Sequence, residues 1–159
     1  MSGFIYALKE FHGTATRVVA APVEDCLSLL RAVDGYPTWF PEMVRDVEVL
    51  QRDASDQPTR ARTKLHVARG PLVHDFDLLM AIAVEPPGTV KLSKVTSDRS
   101  PSRFDVTWSL QAAESTRIEL NLSATLSVSE MVPVGDIGNA IAEQFVAAAS
   151  RALGSDTPS

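Results

Sequence analysis

Few residues in this chain could carry chemistry. There are three histidines, His12, His66 and His74, and one cysteine, Cys26. Their spacing fits no metal-binding pattern, and no second thiol supports a zinc site. No metal and no cofactor is expected. There is no Gly-rich phosphate loop and no Gly-x-Ser-x-Gly elbow. Cys26 lies on an apolar stripe of helical spacing, which suits a small core residue better than a nucleophile. His66 alternates with Arg62 and Lys64 and so belongs on a wet face. His74 differs, because it alternates with Phe76, Leu78, Met80 and Ile82 and should point inward with them. An imidazole in an apolar pocket could donate to a ligand carbonyl, or act as acid or base near neutral pH. The plainer alternative is a histidine bonded to a polar neighbour near a strand end. No catalytic residue is assigned, and His74 is the one candidate. Arg17 could pair with a ligand acid or simply be solvated.

The elements that must position these residues follow from periodicity. Residues 14–21 are rich in β-branched side chains and predict a strand. Pro22 then suits the start of a helix, with Glu24 and Asp25 in its first turn. Val23, Cys26, Leu27, Leu30 and Val33 form one apolar stripe, and Asp34-Gly35 is expected to stop the helix in a left-handed cap. "GYPTWFPE", residues 35–42, puts two prolines and three aromatics into eight positions. Period two follows. Strands are predicted at 44–51, 59–69, 72–84, 89–95, 103–112 and 116–129, divided by turn-rich segments such as Gly70-Pro71, Glu85–Gly88 and 97–102. The last strand alternates best, with Ile118, Leu120, Leu122, Ala124, Leu126 and Val128 on one face. A helix over about 134–153 closes the chain, with Val134, Ile137, Ile141, Phe145, Ala148 and Ala152 on one side. Consecutive strands joined by short turns predict an antiparallel sheet with one apolar face, and only the helices can cover that face.

Bulk properties narrow the function. The chain has 159 residues, 45% hydrophobic and 22% charged, which suits one globular domain over 1–153 with a small polar tail at 154–159. A net charge of −5 argues against DNA as a partner. The longest apolar run is the seven residues from Leu78 to Val84, far short of a membrane span. The start "MSGFIYALKE" does not read as a signal peptide, and with a single cysteine a cytoplasmic location is expected.

Residues 21–53, "APVEDCLSLLRAVDGYPTWFPEMVRDVEVLQRD", resemble the opening of the helix-grip superfamily. That group includes START lipid-transfer domains, polyketide cyclases/dehydrases, pollen-allergen-type proteins and the coenzyme Q-binding family. The resembling pattern is a strand ending in Ala-Pro, an amphipathic helix, Asp-x-Tyr-Pro-x-Trp-Phe-Pro at Asp34, Tyr36, Pro37, Trp39, Phe40 and Pro41, then a valine-rich strand. The chain looks most like the polyketide cyclase and coenzyme Q-binding branch. The resemblance implies an α+β fold, a seven-stranded antiparallel sheet wrapped around a long C-terminal helix, with two short helices after the first strand. It also implies an apolar cavity between sheet and long helix, with a lip at Met131 and Val132.

Strand parity joined to that implication gives a ligand-binding set: Trp39, Phe40, His74, Phe76 and Met80, with Trp108, Leu122, Met131, Ile141 and Phe145. The alanine-rich final helix is expected to leave room beneath it, in a pocket of a few hundred cubic ångströms with its mouth near Met131–Gly135. The leading expectation is noncatalytic binding or transport of a hydrophobic small molecule such as a lipid, a quinone or a polyketide-like compound, by a monomer or homodimer. One alternative is a polyketide aromatase/cyclase using His74. Another is an interaction protein, akin to ribosome-associated relatives, that uses the basic row Arg60, Arg62, Lys64 and Arg69.

Overall fold

The computed structural model describes residues 6–69, 72–85, 88–95, 102–112, 115–130 and 135–154. Seven strands form one antiparallel sheet: β1 (Tyr6–Val19), β2 (Val44–Arg52), β3 (Pro58–Arg69), β4 (Leu72–Glu85), β5 (Thr89–Lys94), β6 (Arg103–Ala112) and β7 (Thr116–Ser129). Their spatial order is β1-β7-β6-β5-β4-β3-β2. Six strands meander in sequence, and β1 closes onto β7 in unbroken register from Tyr6 opposite Ser129 to Val19 opposite Thr116. The helices are α1 (Val23–Arg31), α2 (Tyr36–Trp39) and α3 (Ile137–Ala152), with a 3-10 turn at Val33–Gly35 between the first two. This is the helix-grip architecture that the sequence implies. The expected turns at Gly70-Pro71 and Pro86-Pro87, most of the 97–102 loop and the tail after Gly154 lie outside the described residues.

Alternation decides which face of the sheet is dry. Every even-numbered residue of β7 from Ile118 to Val128 is buried, and Arg117, Asn121, Ser123 and Ser127 are exposed. β6 repeats the pattern with Phe104, Val106, Trp108 and Leu110. On the opposite, wet face the rows of charge interlock. Arg62 faces Glu48 on β2, Lys64 faces Asp46 on β2 and Asp77 on β4, and His66 faces Asp75. The Arg62 guanidinium is 3.9 Å from the Asp77 carboxylate, and the His66 ring lies 2.7 Å from Asp75. The middle of the basic row, Arg62 and Lys64, is therefore flanked by acids, while Arg60 faces Gln51 and Ala81, so the row is not a continuous positive surface of the kind the interaction reading needs.

The first half of the aromatic segment forms the short helix α2. Pro37 falls in the first turn of α2, where its missing N–H is not needed. Gly35 has φ −88°, so the expected left-handed cap does not form. The chain instead passes from the 3-10 turn directly into α2. The Tyr36 hydroxyl donates to the Leu30 carbonyl at 2.6 Å, and a tie between the two short helices replaces the glycine stop.

The long helix α3 lies on the apolar face over β1 and β7, with its opposite flank toward α2. It approaches unusually closely. A Cβ on Gly13 would stand 2.0 Å from the Gly138 carbonyl oxygen, and a Cβ on Gly138 would stand 2.2 Å from the His12 carbonyl oxygen. Next to this crossing the Asn139 side chain accepts the Thr14 backbone N–H at 3.0 Å. Ala142, Ala148 and Ala149 are fully buried in consequence. The small residues of α3 thus bring the helix down onto the sheet. The expectation that they leave a large space beneath it is corrected.

Candidate functional site

One apolar cleft remains where α3 stops covering the sheet. Its floor is Thr63 and Leu65 of β3, Met80 of β4, Leu92 of β5, and Phe104 and Val106 of β6. Val44 and Val47 of β2 form one side, Val33 and Tyr36 close an end, and Phe145 of α3 is the roof. The cavity is about 40 Å³, far below the roughly 300–1,000 Å³ of small-molecule sites. The predicted pocket of a few hundred cubic ångströms is absent from this cleft. The Phe145 ring occupies the space, packed edge-on against Phe40 at 4.8 Å and against Trp108 at 6.3 Å between ring centroids.

The cleft has little capacity for chemistry. Tyr36 is its one titratable lining side chain among the described residues. Burial pushes its hydroxyl far above the usual phenol range, against a smaller lowering by the Trp108 indole. It stays neutral and is already engaged with Leu30. Among the described residues no group of His, Cys, Asp and Glu could hold a metal ion. Cys26 is fully buried, and burial raises its thiol pKa, with Thr116 partly countering. A neutral thiol shut away from solvent is a poor nucleophile.

The predicted set divides. Met80 and Phe145 line the cleft. Phe40 and Trp108 are buried behind Phe145 as its packing partners. Trp39 stacks beside Phe40 at 6.2 Å and tilts over Tyr36 at 4.6 Å, which makes it part of the plug at the end of the sheet. Leu122 and Ile141 are core. His74 does share a face with Phe76 and Met80, but its side chain is exposed, not inward. The reason is topological: β5 pairs with β4 only from Met80 to Glu85, so the first half of β4 runs past the end of β5. His74 and Phe76 instead border a second cavity of about 430 Å³ at that end, their rings 4.6 Å apart. Met131 and the expected lip lie outside the described residues. Arg17 is exposed on β1.

Sequence reading missed most of the cleft wall. The inward row of β3, Ala61, Thr63, Leu65 and Val67, was legible as the neutral half of an alternation whose charged half drew attention. Val44 and Val47 were not legible by parity. A register shift between Val44 and Asp46 puts these two residues, three apart, on the same wall.

A dry-faced seven-stranded sheet, a helix on that face and an apolar cleft beside it define a helix-grip protein of the START-like class. Residues 19–150 match the model of the family described as polyketide cyclase/dehydrase and lipid transport, and the chain belongs to that family. No curated protein sequence matches it. Among solved structures, a START superfamily protein from Mycobacterium smegmatis superposes with TM-score 0.71 at 17% identity, covering 89% of this chain and 96% of that one. A protein from Thermus thermophilus gives TM-score 0.65 at 17% identity, covering 89% of this chain and 96% of that one. The Zhui aromatase/cyclase from Streptomyces sp. R1128 gives TM-score 0.56 at 18% identity, covering 91% of this chain and 92% of that one. These likenesses carry the fold.

Proposed function

We propose that the chain binds a hydrophobic small molecule in the cleft between the apolar face and α3, as a carrier or receptor and without catalysing a reaction. The observation that carries this reading is the cleft wall. It is formed by aliphatic and aromatic side chains plus Thr63, and its only titratable group, among the described residues, is a neutral tyrosine already bonded. Burying a ligand there yields mainly apolar contact, which suits a lipid, a quinone or a polyketide-like compound. The lipid-transport part of the family description supports the same reading. The cavity is small as it stands, so a ligand has to displace Phe145 and Met80. Met80 is unbranched and adapts easily.

The aromatase/cyclase alternative draws on the family description and on the likeness to Zhui. It needs an acid or base beside the substrate, and His74 stands outside the inner cleft. Native mass spectrometry of protein purified from its own host tests the proposal. A bound apolar compound recovered unchanged after incubation supports it. Empty protein that also fails to bind a neutral apolar dye overturns it. Conversion of a linear polyketide mimic by wild type but not by His74→Ala would establish the cyclase instead.

A further inference from the structure

The inner cleft and the outer cavity lie end to end along β4, β5 and β6, the outer one bordered by Phe76, Leu78 and Leu126 of the apolar face and by Asp75, Asp77 and Ser127 of the wet one. On β4, Met80 lines the inner cleft and Leu78, two residues along, lines the outer cavity. On β5 the same step leads from Leu92 to Lys94, and at the start of β6 from Phe104 to Ser102. Adjacent strands run in opposite directions, so steps of opposite sign along them move the same way across the sheet. Lys94 stands directly opposite Met80 in the β4–β5 register and so shares its face. The path then continues along β4 through Phe76 to His74. From His74 to Met80 is about 20 Å at the usual strand rise.

Polarity changes along that path. The inner end is apolar, whereas the outer end carries Lys94, half-buried, whose ammonium donates to the Ser102 carbonyl at 3.3 Å. Lys9 of β1 sits at the same end, opposite Leu126, and donates to the Glu130 carbonyl at 2.6 Å. Asp75 and Asp77 also border the outer cavity, but their carboxylates are engaged across β3 by His66 and Arg62. The His74–Phe76 ring pair forms one wall.

We infer that the two cavities are one site for an anionic amphiphile, with its apolar chain toward Met80 and Phe145 and its carboxylate-type head at Lys94. This rests on the binding proposed above and adds the ligand's polarity and direction. Seated so, the head keeps partial contact with water while the chain is buried, which spares the cost of burying a charge.

The test uses displacement of Nile red, a neutral dye, by decanoate and by decanol, which share a chain and differ in the head. Wild type should bind decanoate more tightly than decanol. Lys94→Met, which keeps the apolar stem, should weaken decanoate by about five- to tenfold and leave decanol unchanged. Lys94→Arg should restore decanoate binding. Met80→Trp should block both ligands, because the chain then has no place to go. Equal effects of Lys94→Met on the two ligands, or no preference for decanoate in wild type, would overturn the inference while the cleft proposal stands. Failure of either ligand to displace bound dye would sink the amphiphile site, and failure of the dye itself to bind would remove the cleft proposal beneath it.

Discussion

The crossing of β1 and α3 at Gly13 and Gly138 offers the sharpest check on how the cleft is made. Gly138→Ala places a methyl carbon 2.2 Å from the His12 carbonyl oxygen and 2.5 Å from its carbon. Non-bonded carbon contacts settle at about 3.5–4.0 Å, so helix and strand must part by roughly 1 Å or more. The obstructing atoms are backbone on a fourteen-residue strand paired in register throughout, so no rotamer change relieves the clash. The shift also strains the Asn139–Thr14 hydrogen bond next door. Overpacking of this kind costs about 3 kcal/mol, at the upper end of its usual range. For a domain of this length that lowers Tm by about 6–12 °C. Gly13→Ala should do the same, because its methyl meets the Gly138 carbonyl at 2.0 Å. Gly35→Ala is the control, with φ −88° and nothing within 4 Å of the added methyl, and it should leave Tm within about 1–2 °C of wild type. Thermal unfolding followed by circular dichroism reads all three. If Gly13→Ala and Gly138→Ala melt with wild type, the close approach is not what sets the height of α3. The account of the small cavity then fails with it.

Other outcomes follow from single contacts. Phe145→Ala should enlarge the cleft, cost about 3–5 kcal/mol of stability, and raise Nile red affinity if the protein remains folded; unchanged or weaker dye binding would show that Phe145 does not gate the space. Cys26 should resist thiol reagents in the native state and react only on unfolding, because burial holds its thiol neutral, and rapid modification by Ellman's reagent in buffer would contradict this. Asp53 accepts N–H bonds from Gln57 and Ser55 and lies 4.0 Å from Arg31. Those contacts, the Gln57 bond first, hold its carboxyl below the usual range. A depressed folded pKa contributes stability that is present above the ordinary carboxylate pKa of about 3.9 and is lost as pH falls through the folded value. Asp53→Asn should therefore flatten the acid side of the stability curve below about pH 4, as read by urea midpoints, and a curve parallel to wild type would assign that loss elsewhere.

What could be read from the chain depended on whether a feature is local. Strand parity on β6 and β7 needs only neighbouring residues, and its buried rows match the pattern from Phe104 through Val128. The end of α3 was likewise placed within a residue or so, but its expected start at about 134 is corrected to Ile137, because Gly135, at φ 38°, and Asp136 form a turn ahead of the helix. The height of α3 above the sheet is a different kind of property. It depends on Gly13 and Gly138, 125 positions apart, and no periodicity links two glycines over that distance. The same limit applies to His74. Its face was legible, but its exposure is set by where β5 ends beside it, and that is a fact about a neighbouring strand.

The shallow cleft and the direction of the proposed ligand have a common origin in that geometry. α3 is fixed low over β1 by the glycine crossing and by Asn139, so helix and strand meet there backbone to backbone. The inner cleft survives on the β2–β6 side, where one side chain of α3, Phe145, reaches across as a roof. An aromatic ring held by edge contacts to Phe40 and Trp108 can give way at the cost of those contacts, each worth about 0.5–1.5 kcal/mol beyond the area buried. The helix backbone cannot yield as cheaply, since its crossing is locked by main-chain contact. Ligand entry is then a matter of side-chain displacement at Phe145 and Met80 rather than of lifting the helix. Compounds should enter from the end where β4 outruns β5, and the polar groups at Lys94 and Ser102 would meet the trailing end of whatever goes in.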